Sequence, residues 1–437
     1  MITASDQRQR GAAVAVVIAA LVVAGSVAAG LVLRANDVRL YLGGPLLAGS
    51  WNPRLEPGIV APLAVGGVLV IFAARVADGL PWRRLLPVAG VAAAAWAVAL
   101  AVVDGASGLT RGLESTHDYL DDVARAGSVA QLLSDYVAKV PADSAAAWST
   151  HVGGHPPGTL MTFVILDSLG LGGSGWAAAL CIAVGASAVP AVLVTARSVA
   201  GEDAARAAAP FLVLVPAAVW LATSADALFL GVSAWGVAAL AVAVRADNQQ
   251  LAVIGGLLLG LTLFFSYGLV LLGPLAVAVV VVRRRWRLLA VATGGVLVVV
   301  AAFALAGFWW LSGLLATMER VNSGVAAQSR PAAFFVISNL AAVAIAIGPA
   351  GVAGLGQVVT RAGRRTAVAV LPLAALAGIL IADLSLLSKG EVERIYLPFF
   401  GWLLLATALL GRRQRTRWLI AQAGTAVAVQ VLVRTSW

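Results

Sequence analysis

Apolar runs of about 20 residues recur along the chain, separated by short polar stretches, and few of them contain a charged residue. A helix needs about 20 apolar residues to cross the roughly 30 Å core of a bilayer. The pattern therefore predicts an all-α protein, a polytopic bundle of about 12–13 transmembrane helices. The predicted spans are 11–33, 58–74, 85–103, 176–196, 207–223, 226–244, 251–265, 269–282, 288–310, 332–357, 366–384, 396–411 and 418–434.

Two apolar segments need separate treatment. The first run, 11–33, is longer than the h-region of a signal peptide, so we predict an uncleaved first span. The segment from Thr159 to Leu171 is short for a span and is followed by Gly-Gly-Ser-Gly. We therefore predict that residues 159–175 form a re-entrant or interfacial segment.

The loops between these spans differ in charge on the two sides of the membrane. Most arginines fall in loops on one side, which the positive-inside rule makes cytoplasmic, and most carboxylates fall on the other. The largest outer loop, 104–158, contains all three histidines. We predict one transmembrane domain over 1–437, in the plasma membrane, with 104–158 as an extracytoplasmic catalytic loop. The basic loops carry Arg75, Arg83 and Arg84; Arg197 and Arg206; Arg283, Arg284, Arg285 and Arg287; Arg361, Arg364 and Arg365; and Arg412, Arg413, Arg415 and Arg417.

The amino-acid composition is typical of a membrane protein, and the placement of its charges bears on which binding partners to expect. The chain is 61% hydrophobic and 11% charged, whereas a soluble domain carries roughly 25% charged residues. Its net charge of +10 lies in topology-setting loops, so no nucleic-acid partner is expected. The single cysteine, Cys181, lies inside an apolar run and allows no intramolecular disulfide.

The first chemical candidate is the acidic stretch Leu113–Val123 in the large outer loop. At helical spacing its carboxylates share one face, with Tyr119 and Leu120 toward the membrane. Such a stretch can be a solvated amphipathic helix, or one carboxylate can serve as a general base. The titratable candidates are Glu114, His117, Asp118, Asp121 and Asp122.

The second candidate is the segment WSTHVGGHPPGTLM, Trp148–Met161, at the end of the same loop. Pro156 and Pro157 impose an extended approach at His155, and this holds His155 at the level of the lipid headgroups. The prolines can equally be a device that starts the next helix. We assign His151 no role beyond lying in the same cleft.

The third candidate is SKGEVERIYLPFFGW, Ser388–Trp402, at an outer membrane edge. Lys389 and Arg394 are cations on the otherwise acidic side, and Tyr396 follows at the start of the span. They either anchor the helix by snorkelling or bind an anionic phosphate.

Two other kinds of site are less well supported. Histidine and aspartate can bind Zn²⁺ or Mn²⁺, but there is no HExxH helix and Val-Gly-Gly separates His151 from His155. No metal ligand is therefore assigned, although a divalent metal stays an alternative. Transporters place polar groups at mid-membrane, whereas Asp226 and Asp383 lie near outer ends of spans.

Taken together, these motifs resemble the GT-C membrane glycosyltransferases. The resemblance rests on an acidic outer loop, on His155–Pro156–Pro157 before a short apolar segment, and on Arg394-Ile-Tyr-Leu-Pro398 opening a late span. The protein O-mannosyltransferases and the lipid A aminoarabinose transferase are the most similar families. The family carries an acidic catalytic residue in its first large outer loop, matched best here by Asp118, with Asp121 and Asp122 as alternates.

The resemblance implies an inverting glycosyltransferase that uses a polyprenyl-phosphate sugar at the outer face. Asp118 would deprotonate the acceptor hydroxyl, and Lys389 and Arg394, with Tyr396 and His155 beside them, would stabilise the leaving phosphate. Mannose and arabinofuranose are the sugars to test first, and the acceptor would be a cell-envelope glycolipid, glycan or protein. The alternatives are a polyprenyl-lipid flippase or transporter and a non-catalytic scaffold for envelope assembly.

Overall fold

The computed structural model describes residues 4–222, 224–360 and 367–435, and the protein is all-α and 78% helical. The α-helices are α1 Ala4–Ala35, α2 Val60–Gly79, α3 Trp82–Ala101, α4 Leu120–Ala126, α5 Val129–Asp135, α6 Thr150–Gly153, α7 Gly158–Ser168, α8 Ser174–Ala186, α9 Ala188–Ala200, α10 Glu202–Val213, α11 Asp226–Ala246, α12 Gln249–Thr262, α13 Gly273–Val281, α14 Trp286–Leu305, α15 Trp310–Ser323, α16 Val325–Ser329, α17 Ala332–Thr360, α18 Ala367–Leu384, α19 Val392–Ile395, α20 Leu397–Leu404 and α21 Arg415–Leu432.

Short 3₁₀ helices and one small sheet complete the fold. The strands β1 (Gly49–Trp51) and β2 (Val433–Thr435) pair antiparallel, with Gly49 opposite Thr435. This pairing joins the loop after α1 to the residues that follow α21. The 3₁₀ segments are Pro57–Ile59, Val102–Asp104, Ala106–Leu109, Val137–Lys139, Pro216–Trp220, Tyr267–Leu272, Leu405–Leu409 and Arg412–Gln414.

Within the described residues, eight helices are long and apolar enough to cross a membrane, and the prediction of a helical membrane protein is confirmed to that extent. Three further predicted spans, 251–265, 269–282 and 396–411, coincide with shorter apolar helices, so the total of 12–13 spans stays a prediction. The basic residues Arg361, Arg364 and Arg365 lie outside the described residues. The eight are Arg10–Ala35, Pro57–Gly79, Trp82–Asp104, Ser174–Ala200, Asp226–Ala246, Trp286–Leu305, Ala332–Val359 and Ala367–Leu384.

The predicted re-entrant segment begins with an unusually short helix. Helix α7 has 11 residues, which at about 1.5 Å per residue gives a length of roughly 16 Å. That is about half of a bilayer core. The glycine-rich stretch that follows ends it before α8 begins at Ser174.

Helix α17 contains a break at a glycine followed by a proline, two residues that are unfavourable inside a helix. Gly348 has φ 70° and ψ 175°, and Pro349 follows it. The freed backbone groups bind one side chain of α21, because the Gln422 amide donates to Ile347 O at 2.6 Å and accepts from Ala350 N at 3.1 Å. A polar side chain from a neighbouring helix thus keeps the break satisfied within the bundle.

The loops gather at two ends of the bundle. Helix α11 carries Asp226 at its first residue, and Asp247 lies just beyond its last. Asp247 pairs with Arg285 and Arg287 at 3.2 and 3.1 Å. At the same end as these basic loops, Asp78 at the end of α2 pairs with Arg415 at 2.9 Å. Asp226 lies at the opposite end, where the large loop packs.

Candidate functional site

A cluster of buried charged and polar side chains lies at the end of the bundle that holds the large loop. Asp118, His151, Asp226 and Arg394 are between 3% and 7% exposed and come from four separate segments. Ionisable groups in such an apolar chain are costly to bury, and they persist where they are paired or serve a function. We call these four residues the charged cluster.

Arg394 is the cation of the charged cluster. It lies in the single turn α19, and its Nη1 atom is 2.6 Å from Asp226 Oδ2. Its Nη2 atom is 3.7 Å from Glu391 Oε2. Burial alone would lower its pKa, but the carboxylates of Asp226 and Glu391 outweigh that effect and raise the pKa above its usual range. The guanidinium is therefore charged at any physiological pH.

Asp226 is the counterion of Arg394, and the sequence did not assign it a place in the site. Its side chain is fixed by Ser224, whose hydroxyl donates to Asp226 Oδ2 at 2.5 Å and accepts from Asp226 N at 3.1 Å. The position of Asp226 at the first residue of α11 also stabilises its carboxylate, because the amino-terminal end of a helix carries partial positive charge. The only sequence signal was a carboxylate at the outer edge of a span.

His151 lies between the acidic and basic members of the cluster. Its Nε2 atom is 3.5 Å from Arg394 Nη2, and its Nδ1 atom is 3.7 Å from Asp118 Oδ2. The sequence left His151 without a role, whereas the structure gives it the central position. The turn from Ser149 holds the ring there, since His151 N donates to His117 O at 2.9 Å.

Asp118 is buried against Tyr119, and the predicted common face of carboxylates does not form. The backbone turns before α4 begins at Leu120, so helical spacing does not apply at Asp118. Asp118 Oδ1 accepts from Tyr119 N at 2.9 Å. Tyr119 is itself buried within the protein, contrary to the expectation that it faces the membrane.

The other acidic candidates serve the loop rather than the charged cluster. Asp122 is fully buried, accepts from Ser149 N at 2.8 Å and pairs with Arg125. Asp121 is exposed. Glu114 is exposed as well and accepts a hydrogen bond from Ser174 Oγ at 2.6 Å.

His117 is the most accessible of the three histidines. Its side chain is exposed, and its Nδ1 atom is 3.4 Å from Thr150 Oγ1. It therefore lies at the rim of the loop, on the segment that leads into Asp118. Its backbone carbonyl, rather than its ring, is what reaches the charged cluster, through the bond from His151 N.

His155 is next to the charged cluster but is not a cation. Its Nδ1 atom is 2.8 Å from His151 O, which as an acceptor fixes the proton on Nδ1. Its ring lies 6.2 Å from that of Tyr119 and 5.7 Å from that of Phe229. Burial lowers its pKa to about 4, so the ring is neutral at pH 7. It cannot supply the positive charge expected beside a leaving phosphate.

Glycines within the histidine motif allow close packing of other side chains. A Cβ atom on Gly153 would lie 2.0 Å from Arg320 Nη1, and one on Gly158 would lie 2.4 Å from Phe264 O. Arg320 uses this space to donate to Val140 O and Trp148 O at 2.7 and 2.9 Å. The Val-Gly-Gly spacing therefore locks the large loop onto α15.

The remaining basic candidate, Lys389, is engaged outside the charged cluster. Its ammonium group donates to Ala327 O, and Arg330 donates in return to Lys389 O. Arg330 also binds Tyr41 O at 2.8 Å and Glu391 Oε1 at 3.2 Å. These bonds clamp together the loops after α1, α16 and α18 next to Arg394.

Tyr396, the other residue predicted near a donor phosphate, is buried. Its side chain is 2% exposed, and its ring lies 6.3 Å from that of Phe399. Tyr396 therefore packs against α20, directly after the turn that carries Arg394.

Metal ligation and similarity to known proteins add no further assignment. Among the residues that the structure describes, no group of three or more His, Cys, Asp and Glu side chains is placed to hold a metal ion. No family model, curated protein or solved structure matches the chain. The role of the charged cluster is therefore inferred from the geometry of its side chains alone.

Proposed function

We propose that the protein is a membrane glycosyltransferase that takes sugar from a polyprenyl-phosphate donor at the end of the bundle that carries the charged cluster. The observation that carries this proposal is Arg394, a permanently charged guanidinium buried beside a carboxylate and an imidazole at the outer end of an apolar bundle. The proposal includes the 12–13 spans and the GT-C-like arrangement predicted from the sequence.

The orientation of this end supports a lipid-linked donor. The arginine-rich loops that pair with Asp78 and Asp247 lie at the opposite end, which the positive-inside rule assigns to the cytoplasm. The cluster then faces outward across the plasma membrane, away from cytoplasmic nucleotide sugars. A polyprenyl-phosphate sugar places its chain in the bilayer and its phosphate at the level of the cluster.

Arginine suits the phosphate of such a donor. Its planar guanidinium presents two parallel N–H groups to two phosphate oxygens. In Arg394 one edge is held by Asp226 at 2.6 Å, whereas Nη2 contacts His151 and Glu391 at 3.5 and 3.7 Å. The contacts of Nη2 are longer than that of Nη1, and we assign the Nη2 edge to the donor phosphate.

In the proposed reaction an acceptor hydroxyl attacks the anomeric carbon as the bond to phosphate breaks. The electron pair of that bond leaves with the lipid phosphate, whose added charge Arg394 stabilises. The hydroxyl proton passes to the Asp118–His151 pair beside it. Attack opposite the leaving group inverts the anomeric configuration. Mannose and arabinofuranose donors, and envelope glycans or glycolipids as acceptors, are the substrates to test.

A conservative substitution of Arg394 tests the proposal. Arg394→Lys keeps the charge and loses the planar fork, so we expect binding of a polyprenyl phosphate in nanodiscs to weaken at least tenfold. Arg54→Lys is the matched control, because Arg54 has a side chain only 9% exposed and pairs with Asp104 at 3.0 Å outside the cluster. Thermal unfolding of both variants checks that each is folded.

The outcomes separate the three functions. Equal phosphate binding by the wild type and Arg394→Lys would contradict the proposed role of Arg394. Binding accompanied by movement of the lipid between leaflets, with no sugar transferred to envelope extracts, would favour the flippase. A glycan profile that is unchanged when the protein is deleted would favour the scaffold.

A further inference from the structure

We propose that the atom that accepts the proton of the acceptor hydroxyl is His151 Nε2 rather than an oxygen of Asp118, and that Arg394 covers this nitrogen until the donor phosphate draws the guanidinium away. The inference rests on the proposed function and extends it. It assigns catalysis to a histidine, a positioning role to Asp118, and an order of binding to the two substrates.

The two neighbours of the His151 ring determine which of its nitrogens carries the proton. An arginine side chain is a donor only, so the nitrogen that faces Arg394 Nη2 at 3.5 Å, Nε2, must be the acceptor. A neutral imidazole then carries its proton on Nδ1, which faces Asp118 Oδ2 at 3.7 Å. Arg394 and Asp118 therefore select the same tautomer from opposite sides of the ring.

This tautomer is the one that a general base needs. When a carboxylate faces Nδ1–H, Nε2 presents its lone pair, and the carboxylate stabilises the imidazolium that forms after proton transfer. Asp118 is suited to this supporting role, because Tyr119 N occupies its Oδ1 at 2.9 Å and its Oδ2 faces the ring.

The contacts of Arg394 allow its guanidinium to move away from His151 Nε2 while the side chain stays in place. The strong bond to Asp226 at 2.6 Å fixes one edge of the guanidinium. The contact with His151 is long, at 3.5 Å, and a charge-assisted bond to phosphate would be shorter and stronger. A phosphate on the second edge would therefore take Nη2 from His151 while Asp226 keeps Arg394 in place.

The proposed step accounts for every proton and electron pair that it moves. The acceptor oxygen forms its bond to the anomeric carbon and gives its proton to His151 Nε2. The bond between that carbon and the phosphate oxygen breaks, and its electrons stay on the lipid phosphate. The products are the glycosylated acceptor, a polyprenyl phosphate dianion beside Arg394, and an imidazolium beside Asp118.

The small number of histidines permits a direct spectroscopic test. The chain has 3 histidines, so protein labelled with ¹⁵N at histidine and placed in lipid bilayers gives few imidazole signals in solid-state NMR. His117→Gln and His155→Gln variants assign them. We expect His151 to be neutral and protonated on Nδ1. Addition of polyprenyl phosphate should shift its Nε2 signal, and Asp118→Asn should mix the tautomers.

The possible outcomes distinguish a failure of this inference from a failure of the proposed function. His151 protonated on Nε2, or an Nε2 signal unchanged while polyprenyl phosphate binds, would overturn the inference and leave the proposed function standing. Failure of polyprenyl phosphate to bind at all would overturn the proposed function, and the inference with it. If polyprenyl phosphate shifts the His151 Nε2 signal in the wild type but not in Arg394→Lys, the result supports both proposals.

Turnover provides the second arm once a sugar donor is identified. His151→Gln keeps a polar group near the Nε2 position but cannot accept a proton, so we expect turnover to fall at least 100-fold with donor binding unchanged. Asp118→Asn should retain more activity than His151→Gln, because it removes only the positioning of the ring. The reverse order would make Asp118 the base.

Discussion

At the scale of single residues, the pairing of Arg394 with Asp226 decides how the charged cluster is built. Each side chain is about 95% buried, and the two lie 168 positions apart in the chain. Breaking such a pair leaves one buried charge uncompensated, at a cost of about 3–5 kcal/mol, while removing both partners costs much less.

We therefore expect Asp226→Asn to destabilise the protein more than the double variant Asp226→Asn/Arg394→Gln does. The physical reason is that the single substitution removes the shortest carboxylate contact of a buried guanidinium. Apparent melting temperatures in one detergent measure both variants. Strictly additive effects of the two substitutions would show that the pair is not coupled.

The sequence pointed to most residues of the charged cluster, but it did not show which of them contact one another. Asp118 and Arg394 stood out because charged side chains are rare in so apolar a chain, and His151 because two histidines are spaced four apart. Asp226 was noticed only as an outer-edge carboxylate. Which residues meet depends on how distant helix ends pack, and a single sequence does not encode that in any local pattern.

At the scale of elements, helix α6 shows how the chain holds the cluster in place. Its four residues include His151 and end at Gly153, against which Arg320 of α15 packs. Arg320 donates to the carbonyls of Val140 and Trp148. The position of the His151 ring thus depends on a clamp supplied by a different helix.

Adding one methyl group should loosen this clamp. In Gly153→Ala the new Cβ atom would lie 2.0 Å from Arg320 Nη1 and force the guanidinium away from its carbonyl partners. We expect a loss of stability of about 1–3 kcal/mol, measured by thermal unfolding. Gly175→Ala is the control, because nothing lies within 4 Å of a Cβ atom there. Equal melting temperatures for the two variants would contradict the clamp.

Hydropathy predicted the elements well where helices are long and uniform. The first span, 11–33, corresponds to α1, and 226–244 to α11. It did not predict that 207–223 is divided, since α10 ends at Val213 and a 3₁₀ turn begins at Pro216. Nor did it predict the acidic stretch, where buried partners for Asp118 and Asp122 replace a regular helical face.

At the scale of the whole molecule, the two ends of the bundle have different chemistry. Arginine-rich loops and their surface ion pairs lie at one end, and the charged cluster lies beneath clamped loops at the other. Lipid-facing helices such as α1 and α14 leave most of their apolar surface exposed. These exposed apolar faces are the surfaces that suit contact with lipid.

The central claim is that Arg394 holds the phosphate of a lipid donor beside His151. The most direct measurement is a cryo-EM structure of the protein in nanodiscs containing polyprenyl phosphate. The account predicts phosphate density within about 3 Å of Arg394 Nη2, with Asp226 still bound to Nη1 and His151 Nε2 uncovered. Phosphate density elsewhere, with Arg394 still against His151, would contradict it.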